Sequence, residues 1–129
     1  MPFFDCLSTK KNSGLAERRR QVRRQYRAAR RALPPYQQYA QAKKLCALLK
    51  RCPEFIHAKS IASYLPNDGE IDPSIIHQLA WALGKRVYLP VPTQQKSLHF
   101  VPYTPQTQLV TGQWGIQQPR CAARIATQV

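Results

Sequence analysis

No two of the four cysteines form a CxxC pair, and none stands at zinc-site spacing from a histidine. That pattern excludes a zinc site, and Cys6, Cys46, Cys52 and Cys121 read as reduced thiols of a cytosolic protein. No apolar run approaches the ~20 residues a membrane helix needs. The start of the chain lacks the apolar stretch of a secretory signal, so none is expected. Glycine is sparse, at Gly14, Gly69, Gly84, Gly112 and Gly115, and nowhere forms a phosphate-cradling loop. His57, His77 and His99 fall on three separate elements, with no Ser/His/Asp or Cys/His arrangement to support nucleophilic catalysis. We place His57 and His77 on surface or helix faces. There is no internal repeat.

Acidic residues are also scarce, six against twenty Lys and Arg, for a formal net charge of +14. Anionic partners are favoured: nucleotides, polyglutamate tails, nucleic acid or acidic membranes. Ten of the twenty cations lie in residues 1–31, against Asp5 and Glu17, which reads as one basic element on a nearly ordinary domain. With 129 residues and 43% hydrophobic content, the chain is long and apolar enough for one modest core.

Residues 1–14 end in a polar run, KKNSG, and are expected to be a flexible tail. Residues 15–33 hold no Pro or Gly. Leu15, Val22, Tyr26 and Ala29 follow a helical spacing, so a basic amphipathic helix is expected. Pro34 and Pro35 break it and start a second helix to about Arg51, with Tyr39, Ala42, Leu45, Cys46, Leu48 and Leu49 as its apolar set. Residues 60–65 (SIASYL) read as a buried strand, followed by the turn cluster Pro66, Asn67, Asp68, Gly69. Asp72 and Pro73 announce a helix whose face is Ile75, Ile76, Leu79, Ala80 and Leu83, with Gly84 as its stop. Residues 86–91 (RVYLPV) form the next strand. Strand, helix, strand in this span is a βαβ unit with parallel strands and a right-handed crossover. Residues 98–101 can add a third strand, and beyond Tyr103 the chain reads as loop. The fold class is α/β: a parallel βαβ-containing sheet with flanking helices.

Three features carry chemistry. Arg19 and Arg23 are four apart and share a helix face, and paired guanidiniums grip phosphate by bidentate hydrogen bonds; a solvated basic helix without ligand fits the same residues. The loop holding Leu65 and Glu70 leaves the carboxyl end of the first strand, where α/β sheets bind ligands; Glu70 and Asp72 would equally favour the start of the next helix through its dipole. Trp114, between Gly112 and Gly115, suits a stacking wall for a flat heterocycle, or a cover for the sheet edge.

In order along the chain, these pieces resemble the 5-formyltetrahydrofolate cyclo-ligases, also called methenyltetrahydrofolate synthetases. Residues 19–33 (RRQVRRQYRAARRAL) are similar to that family's first helix, 60–72 (SIASYLPNDGEID) to its strand and folate loop, 84–91 (GKRVYLPV) to its next strand, and 109–119 (LVTGQWGIQQP) to the stretch whose Trp lies by the folate. The resemblance covers residues 18–129. It implies ATP binding at Arg19, Arg20, Gln21, Val22 and Arg23, with Arg19 and Arg23 on the phosphates, and folate contacts from Leu65, Glu70 and Trp114. It also implies the fold shared with sugar-phosphate isomerases and CoA transferases. The implied reaction uses ATP to phosphorylate the formyl oxygen of 5-formyltetrahydrofolate; N10 then attacks the activated carbon and phosphate leaves as 5,10-methenyltetrahydrofolate forms. The family's Gly-rich loop and its Mg2+-holding acids have no counterpart here. We therefore expect a truncated cyclo-ligase with impaired catalysis, monomeric and cytoplasmic, acting on small molecules rather than at a membrane. The contrasting expectations are a non-catalytic nucleic-acid-binding module built on the Arg helix, and an inactive remnant left with an unpaired sheet edge.

Overall fold

A computed structural model describes residues 6–93, 95–112 and 115–120, with side chains from Gly14 onward. The chain divides into two compact units, Met1–Pro34 and Pro35–Val129. The boundary falls between adjacent prolines, where neither a helical hydrogen bond nor a helical residue before Pro is easily accommodated.

The first unit is the helix α1, Cys6–Arg31. It begins nine residues before Leu15, so the backbone is helical over residues 6–14 of the 1–14 stretch that reads as a tail. No proline interrupts that stretch, and Gly14 alone costs a helix only about 1 kcal/mol.

The second unit opens with α2, Pro35–Leu49, and a single-turn α3, Pro53–His57. Pro53 therefore starts a helix as well as following one. In α2 the buried stripe is Ala42 and Cys46, with Leu49 packed against the core; Tyr39, Leu45 and Leu48 face outward. Strand β1, Ser60–Ala62, is followed by α4, Ser74–Ala82, and β2, Arg86–Pro92. β1 and β2 are parallel, with Ile61 opposite Val87, as the βαβ reading requires. β3, Leu98–Tyr103, is the expected third strand, and it runs antiparallel to β2 with Val101 opposite Leu89.

The segment after Tyr103 departs from the loop reading. β4, Leu109–Thr111, and β5, Gln117–Pro119, form a separate antiparallel pair, closed by the Gly112 N–H donating to Ile116 O at 2.8 Å. Each strand is three residues long, too short for alternation to show in the sequence.

The core lies between the sheet and the helices: Cys46, Phe55, Ile76, Ala80 and Val87, flanked by Ile61, Leu79, Trp81 and Tyr103. Along β2, Val87, Leu89 and Val91 alternate inward. Each large side chain so buried contributes about 1.5–3 kcal/mol. The opposite sheet face leaves Leu98 and Phe100 exposed and forms a groove of about 300 Å³ lined by Ser60, Ile61, Ala62, Tyr88 and Phe100. Among the described residues, no helix is long and apolar enough to cross a membrane.

Candidate functional site

The loop from Ser63 to Pro73 leaves the carboxyl end of β1, and its shape follows from turn chemistry. Asp68 and Gly69 both have positive φ, 54° and 78°. Consecutive left-handed residues define a type I′ turn, which Asp and Gly tolerate best. Across it, the Glu70 N–H donates to Asn67 O at 3.1 Å, and Glu70 Oε2 accepts the Asn67 N–H at 3.2 Å. The Glu70 carboxylate is thereby fixed by its own turn, half-buried, while Leu65 is half-buried at the turn's entrance. A carboxylate has about four lone-pair sites, so Glu70 retains capacity for a ligand's N–H groups.

The base of this loop is closed by the Tyr64 hydroxyl donating to Ile71 O at 2.6 Å. Burial, then the nearby Glu70 and Asp72 carboxylates, push the Tyr64 phenol above its ordinary pKa, so it stays a donor. Asp72 does face the start of α4, though from one residue further out than a cap. Its Oδ1 accepts the Ser74 N–H at 2.9 Å and also bonds the Ser74 hydroxyl, while Pro73 occupies the cap position.

Reasoning from sequence missed His77. It is 2% exposed, on the α4 face shared with Ile76 and Ala80, and not on a surface face. Its Nε2 lies 2.6 Å from Ser63 Oγ. The Tyr103 ring meets it edge-on at 5.4 Å and Trp81 lies at 5.9 Å, with Trp81 Nε1 donating to Tyr103 O at 3.1 Å. Desolvation holds the imidazole below the usual histidine range, partly opposed by the Asp72 carboxylate. The only prior signal was spacing: His77 follows Pro73 by four residues and precedes Ala80 by three, on the buried stripe.

The other candidate group is on α1, in the first unit. Leu15, Arg18, Arg19, Val22 and Arg23 follow the i, i+3, i+4, i+7, i+8 stripe and line one open cavity of about 310 Å³. Arg19 and Arg23 are brought together as expected, and Val22 adds an apolar patch, 41% exposed. Arg20 turns to another face, where it pairs with Glu17 at 2.9 Å; Gln21 is exposed and absent from the cavity lining. Trp114 lies outside the described residues. Among the described residues, no cluster of three or more His, Cys, Asp or Glu is placed to hold a metal ion.

A parallel βαβ unit with a shaped loop at the carboxyl end of its first strand places this chain among α/β folds, in which ligands bind at such strand ends. The model of the 5-formyltetrahydrofolate cyclo-ligase family matches residues 15–128. The 5-formyltetrahydrofolate cyclo-ligase of Escherichia coli K12 is 36% identical over 100 residues, which are 76% of this chain and 55% of that one. The Haemophilus influenzae protein of the same name is 34% identical over 106 residues, 81% of this chain and 57% of its own. The NMR structure of Aquifex aeolicus 5,10-methenyltetrahydrofolate synthetase superposes with a TM-score of 0.66 at 25% identity, covering 78% of this chain and 50% of that one. The chain belongs to the 5-formyltetrahydrofolate cyclo-ligase family. It spans about half the length of the curated relatives it matches.

Proposed function

We propose that this chain binds 5-formyltetrahydrofolate and ATP and serves the ATP-dependent ring closure that yields 5,10-methenyltetrahydrofolate, ADP and phosphate. The observation that carries the reading is the loop at the end of β1, inside the family match, where Glu70 is fixed with acceptor capacity to spare beside Leu65. A pteridine presents ring N–H and amino groups on an otherwise flat body. A half-buried carboxylate accepts those donors, and an apolar neighbour covers the ring face. Trp114 adds a stacking surface in this reading. On α1, Arg19 and Arg23 engage the nucleotide's phosphates, whose charge a paired guanidinium face suits; Arg20, committed to Glu17, contributes field rather than contact.

In this reaction the formyl oxygen takes the phosphoryl group from ATP, N10 forms a bond to the formyl carbon and gives up its proton to solvent, and the carbon–oxygen bond breaks as phosphate departs. The residues named here hold the reactants. Positioning and charge stabilisation are the protein's main share in phosphoryl transfer.

Because the chain spans about half of its relatives, binding is the first test. Calorimetry of the full chain should detect both 5-formyltetrahydrofolate and ATP. Glu70→Gln should weaken the folate by about tenfold or more, the worth of a charge-assisted hydrogen bond, and leave ATP unchanged. Arg23→Ala should do the reverse. Affinity for any polyanion, falling steeply with salt and lost uniformly in Arg23→Ala, would replace this reading by a nucleic-acid-binding module.

A further inference from the structure

We infer that Ser63 and His77 are positioning residues for the substrate loop, their hydrogen bond fixing where the loop leaves β1 and hence where Leu65 and Glu70 stand. The inference deepens the folate reading and rests on it.

His77 is the one buried polar side chain among the described residues. Its neighbours on the buried stripe are Ile76 and Ala80, and an aliphatic side chain would suit that face without needing a partner. A ring buried to 2% exposure must instead be given a hydrogen bond. It finds one fourteen residues away, on the first residue past β1. What the histidine adds is a directed bond from α4 to the loop.

Ser63 is held from two sides. Its N–H donates to Tyr88 O at 2.8 Å, extending the parallel ladder by one residue, and its hydroxyl meets His77 Nε2 at 2.6 Å. Backbone and side chain are thus pinned by β2 and α4 respectively. One residue on, Tyr64 bonds Ile71 O, so both ends of the loop are tied while the Asn67–Glu70 turn closes its middle. The imidazole itself cannot swing freely, since Tyr103 meets its edge and Trp81, anchored to Tyr103 O, flanks it. Neither Ser63 nor His77 need touch substrate for this effect. A shift of Ser63 is transmitted along two residues to Leu65 and around the turn to Glu70.

The test compares the full chain with Ser63→Ala, which deletes the hydroxyl, and Ser63→Thr, which keeps it. Two readouts are taken: affinities for 5-formyltetrahydrofolate and ATP, and amide exchange at Asn67 and Glu70 against exchange in β2. Ser63→Ala should weaken the folate about five- to tenfold, the worth of one hydrogen bond, with ATP affinity unchanged. Exchange at Asn67 and Glu70 should rise about fivefold while β2 stays protected, and Ser63→Thr should restore both. Unchanged folate affinity in Ser63→Ala overturns the inference, as does a rise in exchange that is equal in β2 and the loop. If the unaltered chain binds no 5-formyltetrahydrofolate, the folate reading itself fails. Exchange then decides the rest: a loop-confined rise upholds Ser63 and His77 as the loop's anchor, and no rise overturns it.

Discussion

Gly84→Ala isolates the backbone energy that ends α4, the helix carrying His77. Gly84 follows the last helical turn with φ of 69°. Its N–H donates to Trp81 O at 2.9 Å, and the next N–H, of Lys85, donates to Ala80 O at 2.8 Å. These are the two bonds of a Schellman cap, which satisfies helix-end carbonyls only if the residue after the cap is left-handed. A Cβ at position 84 would meet no heavy atom within 4 Å, so no clash adds to the effect. The left-handed conformation costs an L-residue about 1–2 kcal/mol. About 0.4–1 kcal/mol returns because alanine leaves the unfolded chain less free than glycine does. The net loss is then about 1 kcal/mol. With a urea dependence of about 1–3 kcal/mol per molar for a chain of this size, the unfolding midpoint should fall by about 0.3–1 M. Gly84→Asn should fall between the two, since asparagine tolerates the left-handed region. Urea unfolding followed by far-ultraviolet circular dichroism measures all three. A loss above about 3 kcal/mol, beyond what backbone strain supplies, would mean that position 84 carries contacts the geometry denies. No loss at all would mean that the cap does not end the helix.

Two further outcomes follow from polar groups packed on the core, His77 buried and Lys85 half-buried. His77 titrates below its unfolded value, so the unfolded chain binds a proton first as pH falls. Stability should be full above about pH 6.5, the ordinary histidine value, and decline as the pH drops from there towards the folded-state pKa. Urea midpoints across that range should show the decline in the unaltered chain and a flatter profile in His77→Leu; equal slopes would refute the assignment. Lys85 Nζ donates to Ile56 O at 2.9 Å and Ala58 O at 2.6 Å, capping the end of α3 over the Phe55 ring. Lys85→Met should cost about 0.5–1.5 kcal/mol, the net worth of such hydrogen bonds where water can reach the carbonyls, with Lys85→Arg recovering part; thermal unfolding reads both, and an unchanged midpoint in Lys85→Met would discount the cap.

What was legible in the sequence was what depends on near neighbours. Asp72 and Pro73 mark the start of α4 because capping chemistry acts within a turn, and Gly84 marks its end because the left-handed cap is local. The Asn67, Asp68, Gly69 run reads as a turn for the same reason, which is why Glu70 could be placed at a strand end. The apolar stripe of α4 was read slightly rotated. Leu83 was included yet is 57% exposed, while the buried stripe runs through Pro73, Ile76, His77 and Ala80. A polar residue on a helical pattern is ordinarily assigned to the outside, and here its partner overturns that default.

The partner is the part no local pattern could supply. Whether a histidine is buried depends on whether a hydrogen-bonding group meets it, and Ser63 reaches His77 only because β1 and α4 are brought together by the parallel crossover. Ser63 by itself reads as one more small residue at a strand end, and His77 as one more exposed histidine. Only the pair carries meaning, and the pair exists only in the fold. The same holds on α1 in reverse. Spacing alone put Arg19, Val22 and Arg23 on one face, and the three-residue spacing of Glu17 and Arg20 places their ion pair on another. In the proposed reading, folate and nucleotide recognition thus rest on locally encoded residues, Glu70 and Arg23. How sharply Glu70 is held depends on a contact between elements, and that contact is what Ser63→Ala removes.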